Sequence, residues 1–122
     1  MLEPQLLADE GILVLTPQGP LEKADFERLA LLVDPYIEQK GALKGVMIYA
    51  KSFPGWADFA ALLTHLRFVK DHQQHVARVA AVSDSSVLTV LSAIAKHFVR
   101  AQVRHFEFDA RDQAMRWLNG GD

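Results

Sequence analysis

The sequence predicts an α/β fold: a single-layer, mixed and largely parallel sheet packed by helices, in the order β-β-α-β-α-β-α-β-α. Three observations carry this expectation. Residues 44–50 (KGVMIYA) and 78–83 (RVAAVS) are near-continuous apolar runs of the kind that strands show when both faces are covered. The segments around them repeat apolar residues at three- and four-residue spacing, the period of a helix, and strands alternating with such helices build parallel sheets. The chain has 122 residues, of which 50% are hydrophobic and 23% charged. That composition suits one folded domain over residues 1–122, large enough to bury roughly two-thirds of its unfolded surface without staples.

The elements follow in order. GILVLTPQG (11–19) reads as a strand, paired with residues around 4–8 across the acidic turn Asp9-Glu10-Gly11. LEKADFERLALLVDPYIEQKG (21–41) reads as a helix with Phe26, Leu29, Leu32, Val33, Tyr36 and Ile37 on one stripe. Pro35 is expected to kink or restart it, because proline lacks an N–H and crowds the preceding turn. Gly41 fits a C-cap. After strand 44–50, residues 56–75 read as a helix, and strand 78–83 is followed by a helix over 86–100. QVRHFEF (102–108) alternates like an edge strand, and DARDQAMRWLNGG is a short last helix capped by Asp109 and ended by Gly120.

The stretch between the two apolar strands holds the most information about function. Phe53-Pro54-Gly55-Trp56 fits a type II turn, which brings its outer residues within about 7 Å of each other. It stands past the carboxyl end of strand 44–50, the edge where open α/β sheets collect ligands. The two aromatics read either as a clasp closing the core or as the mouth of an apolar pocket. Tyr49, Phe53, Trp56 and Phe59 are therefore the candidate ligand-binding residues.

The helix that follows has two water-avoiding sides. Phe59, Leu62, Leu63, Leu66 and Val69 form one stripe, and Ala61, His65, Phe68, His72 and His75 form another where charges would be usual. Solvated histidines, an interface and a metal site are the three readings of the second stripe. Interfaces are rich in aromatics and poor in charge, which makes His65, Phe68 and His72 the candidates for a partner or dimer contact. His72 and His75 have the spacing to share an ion, but His65 lies some 10 Å further along the axis. No H-E-x-x-H pattern accompanies them. No metal and no cofactor are expected.

Several classes of chemistry are missing. The chain has no cysteine, so disulfides, thiolate nucleophiles and cysteine zinc sites are excluded. No G-x-S-x-G, G-x-x-x-x-G-K-[ST] or G-x-G-x-x-G occurs. SDSS (83–86) suits helix capping better than phosphate binding. Arg78, at the start of its strand, is expected to pair with a nearby carboxylate rather than bind an anion. The net charge is −2 and basic residues are scattered, which argues against nucleic acid. The acidic N-terminal stretch lacks the basic region of a signal peptide, and no apolar run reaches the roughly 20 residues of a membrane span. A cytoplasmic protein is the expectation.

FPGWADFAALLTHLRFVKDHQQHVARVAAVSD (53–84), the tail AQVRHFEFDARDQAMRWL (101–118) and the early GPLEKADFERL (19–29) resemble the bacterial SpoIIAA-like proteins, relatives of the STAS domain with a link to Sec14-type lipid-binding folds. The resemblance runs over nearly the whole chain, on Gly55-Trp56, Arg78, Phe106, Ala114, Trp117 and Leu118. It implies a small mixed sheet packed by helices. STAS-type antagonists carry a phosphorylatable serine in an Asp-Ser-Ser-Gly motif after the third strand. Here that region reads GWADFAAL, with Asp58 near the serine's place and Ser52 upstream. The resemblance thus implies a non-catalytic module that binds an apolar, lipid-like small molecule or a protein partner. The alternatives are a STAS-type regulatory antagonist and, last, a hydrolase or transferase.

Overall fold

The computed structural model describes residues 2–17, 23–50, 76–84 and 102–121. Strands β1 (Leu2–Leu7), β2 (Ile12–Pro17), β3 (Leu43–Tyr49), β4 (Val76–Val82) and β5 (Gln102–Phe106) form one sheet in the order β1-β2-β3-β4-β5. β1 runs antiparallel to β2, and the remaining neighbours are parallel. The expected mixed, largely parallel α/β sheet is what the chain forms. Antiparallel neighbours can share a short turn, and Glu10 and Gly11 donate to the Leu7 carbonyl in the one joining β1 to β2. Parallel neighbours need a longer crossover, and helix α1 (Lys23–Lys40) supplies it between β2 and β3.

The sheet is covered on both sides. On one, Leu29 and Val33 of α1 pack with Leu13, Leu15, Val46 and Ile48. On the other, helix α2 (Arg111–Leu118) sets Ala114, Trp117 and Leu118 against Ile12, Met47, Ala80 and Phe106. Double coverage explains why β3 and β4 lack polar alternation. β5 does alternate, as an edge strand should.

The helices depart from expectation at Pro35, Leu32 and Asp109. α1 passes through Pro35 without restarting. Pro35 lies on the exposed side, and Leu31, whose carbonyl would have received the missing N–H, is 77% exposed, so water can serve that group. Leu32 also sits nearer solvent than its place in the apolar stripe implied. Asp109 does not cap the last helix. It lies in a 3-10 turn (Phe108–Ala110), and Ala110 takes the cap position with no side-chain hydrogen bond.

The carboxyl ends of the helices match their glycines. Gly41, at φ +88°, donates its N–H to the Ile37 carbonyl at 2.7 Å. Gly120, at φ +102°, donates to Trp117 at 3.1 Å, while Gly121 donates to Arg116 at 2.9 Å, which together make a Schellman motif. An eight-residue helix is too short to persist alone. α2 is held by burial of Trp117 and Leu118, each worth about 1.5–3 kcal/mol. Gly45 of β3 is the floor of that contact: a Cβ there would stand 2.6 Å from Leu118 Cδ2.

Candidate functional site

Because β2 to β5 are parallel, their carboxyl ends share one rim. The register sets Tyr49, Val82 and Phe106 in one row across β3, β4 and β5, and all three lie on the α2 side of the sheet. Tyr49 is half-buried and stacks on Phe108, with ring centroids 4.7 Å apart and planes 21° apart. The Arg111 guanidinium carbon sits 5.3 Å from the centre of the Tyr49 ring. β5 thus sends its chain through Phe108 back over the end of the central strand, and the first residue of α2 completes the group. A stacked pair of this kind adds about 0.5–1.5 kcal/mol beyond its burial. A partly solvated cation over a ring adds about 0.5–1 kcal/mol.

The sequence pointed to Tyr49, and the structure puts it at the carboxyl end of a central, buried strand. Phe53, Trp56 and Phe59, the other candidate ligand-binding residues, lie outside the described residues. So do the candidate contact residues His65, Phe68 and His72, the remaining histidine His75, and both Asp58 and Ser52. Sequence reasoning missed Phe108 and Arg111. The signal was present in HFEF, where Phe106 and Phe108 share parity along the strand, but their nearness to Tyr49 depends on register.

Behind the rim, on the α1 side, His105 Nε2 meets the Ser83 carbonyl oxygen at 2.9 Å. Ser83 is fully buried, and its N–H donates to the Phe106 carbonyl. Asp25, buried near the start of α1, forms an ion pair with Arg28 one turn on. Among the described residues, no group of three or more His, Asp or Glu side chains is placed to hold a metal ion. Among them, too, no helix is long and apolar enough to cross a membrane.

Arg78 has a role that the sequence did not show. It pairs with no carboxylate among the described residues. Its Nη1 donates to the carbonyls of Trp117 and Gly121, the second at 3.0 Å, and its guanidinium carbon lies 5.0 Å from the Trp117 ring centre. The arginine closes the carboxyl end of α2, where the last carbonyls and the helix dipole favour a cation. Trp117 also packs on Phe106 at 5.7 Å. Arg78, Phe106, Trp117 and Leu118 are residues on which the sequence resemblance rested, and here they join one sheet face to one helix.

The family model described as SpoIIAA-like matches residues 12–119. The chain belongs to the SpoIIAA-like family. No curated protein and no solved structure matches the chain significantly. The SpoIIAA-like match begins at the first residue of β2 and ends one residue past α2, so it takes in Tyr49, Phe108 and Arg111 and leaves out β1. Within this SpoIIAA-like chain, the Arg78–Trp117 contact belongs to the packing of α2. At the Tyr49 rim, aromatic surface and a cation meet at the end of a central parallel strand.

Proposed function

We propose that this chain is a single SpoIIAA-like domain acting in the bacterial cytoplasm as a non-catalytic module that binds an apolar, lipid-like small molecule at the carboxyl rim of its sheet. One observation carries the reading: half-buried Tyr49, stacked on Phe108 and topped by Arg111, closes the end of the central strand on the edge where ligands bind in open α/β sheets. Phe53, Trp56 and Phe59 are proposed to complete the apolar lining, since they follow Tyr49 directly in the chain. Native mass spectrometry of the purified protein tests this. Co-purifying acyl species, depleted in Tyr49→Ala, are the expected result, and consistently clean apo spectra would overturn the reading.

A second reading is favoured by the family itself: a STAS-type regulatory module that works by contact with a protein partner, with His65, Phe68 and His72 in a partner or dimer interface. It predicts that a pull-down retrieves a kinase or an anti-sigma factor. It also predicts that Phe68→Glu converts a dimer to a monomer in sedimentation. An unchanged mass would remove the interface from consideration.

A further inference from the structure

The two edges of the sheet differ. β1, at one end, carries Pro4, which has no N–H to offer an added strand. β5, at the other end, has no proline and, among the described residues, no neighbour beyond β4. The Phe106 carbonyl accepts from Ser83, the residue after β4, so Phe106 directs its main-chain groups inward. Main-chain direction alternates along a strand, so Arg104 and Gln102 face inward as well. Val103 and His105 therefore turn their N–H and C=O groups outward, at the two-residue spacing that an added strand needs.

Within β5 the charged side chain is Arg104, with the acidic Glu107 one residue past the strand's end. Arg104 is exposed and lies over Phe106, its guanidinium carbon 4.8 Å from the ring centre. Arg78, on the adjacent strand and the same face, sits over Trp117, which Arg104 approaches to 6.0 Å. Neither arginine forms an ion pair among the described residues. Charged residues commonly keep an edge strand from pairing with its like. They do so here: two copies of β5 meeting antiparallel about Arg104 would set arginine directly against arginine. The same charge favours a strand that brings a carboxylate to that position.

We infer that the outer edge of β5 is a docking site for an extended acidic segment of another protein. The segment adds as a sixth strand, hydrogen-bonded to the outward groups of Val103 and His105, and sets an Asp or Glu beside Arg104. This surface uses β5 main chain and stands apart from the Tyr49 rim. Main-chain pairing supplies the affinity of such an addition, and the side chains supply the selection.

The test is fluorescence anisotropy of a labelled peptide that alternates valine with glutamate, against the full-length protein. Binding is expected for this peptide and not for its valine–lysine counterpart. Val103→Pro removes an outward N–H while leaving the β4 ladder intact, and should abolish binding. Arg104→Glu should weaken it about fivefold or more, as for opposed charges on neighbouring strands. Circular dichroism confirms that each variant is folded, and the lysine peptide probes the charge with no protein variant at all. Absence of binding, equal binding of both peptides, or retention in Val103→Pro would overturn the proposal. Loss in Tyr49→Ala with retention in Val103→Pro would move the peptide to the rim and overturn it equally.

Discussion

Replacing Gly45 with alanine tests how α2 is seated. Gly45 lies in the extended backbone of β3, where an L residue is allowed, so space alone forbids a side chain. The added methyl would stand 2.6 Å from Leu118 Cδ2, 3.1 Å from its Cβ and 3.2 Å from its Cγ. Rotating the leucine moves Cδ2 away but leaves Cβ in place, so the helix itself must shift. Overpacking of this kind costs about 1–3 kcal/mol, and the stiffer unfolded chain returns about 0.4–1 kcal/mol. The net loss is about 1–2 kcal/mol, a fall in Tm of roughly 3–10 °C for a chain of this size. Leu118→Ala alone empties a fully buried site and costs about 2–5 kcal/mol. In the double variant the approaches to Cδ2 and Cγ are gone and only the 3.1 Å approach to Cβ remains, so the pair should cost little more than Leu118→Ala alone. Urea denaturation of the four proteins gives the coupling, expected at about 1 kcal/mol or more. Additivity within about 0.5 kcal/mol would mean that the two positions do not press on each other, and the account of α2 seating on Gly45 would fail.

Two further outcomes are expected. Arg78→Met keeps the stem over Trp117 but removes the donors to the Trp117 and Gly121 carbonyls, and should cost about 1.5–3 kcal/mol in thermal unfolding. Arg78→Lys should recover little of that loss, because a single ammonium does not reproduce the planar fork. Gly41→Ala meets nothing within 4 Å, yet it forces a Cβ into φ +88°. The expected loss is about 1 kcal/mol, with Gly41→Asn milder because asparagine tolerates that conformation.

Most of the sheet was legible in the sequence because strands covered on both faces cannot hide their hydrophobicity, and 44–50 and 78–83 differ from β3 and β4 only at their ends. The glycine stops at 41 and 120 were legible for a local reason: a helix that ends in a left-handed residue favours glycine there. At Pro35 the helix continues instead of restarting, since the strength of a proline break depends on whether water reaches the carbonyl it leaves unpaired. Asp109 misled, because a 3-10 turn moved the helix start one residue on. Of the candidate site, only Tyr49 falls among the described residues.

By itself, then, the sequence determined the order of the described strands and helices and the coverage of β3 and β4 on both faces. These follow from periodicity, burial pattern and glycine chemistry, all properties of neighbouring residues. Only tertiary structure decided that Arg78 serves the carbonyls of Trp117 and Gly121, that Gly45 lies beneath Leu118, and that Phe108 and Arg111 gather over Tyr49. Each of those contacts joins residues far apart in the chain. Strand register and helix docking set which of them meet, and no local pattern encodes either.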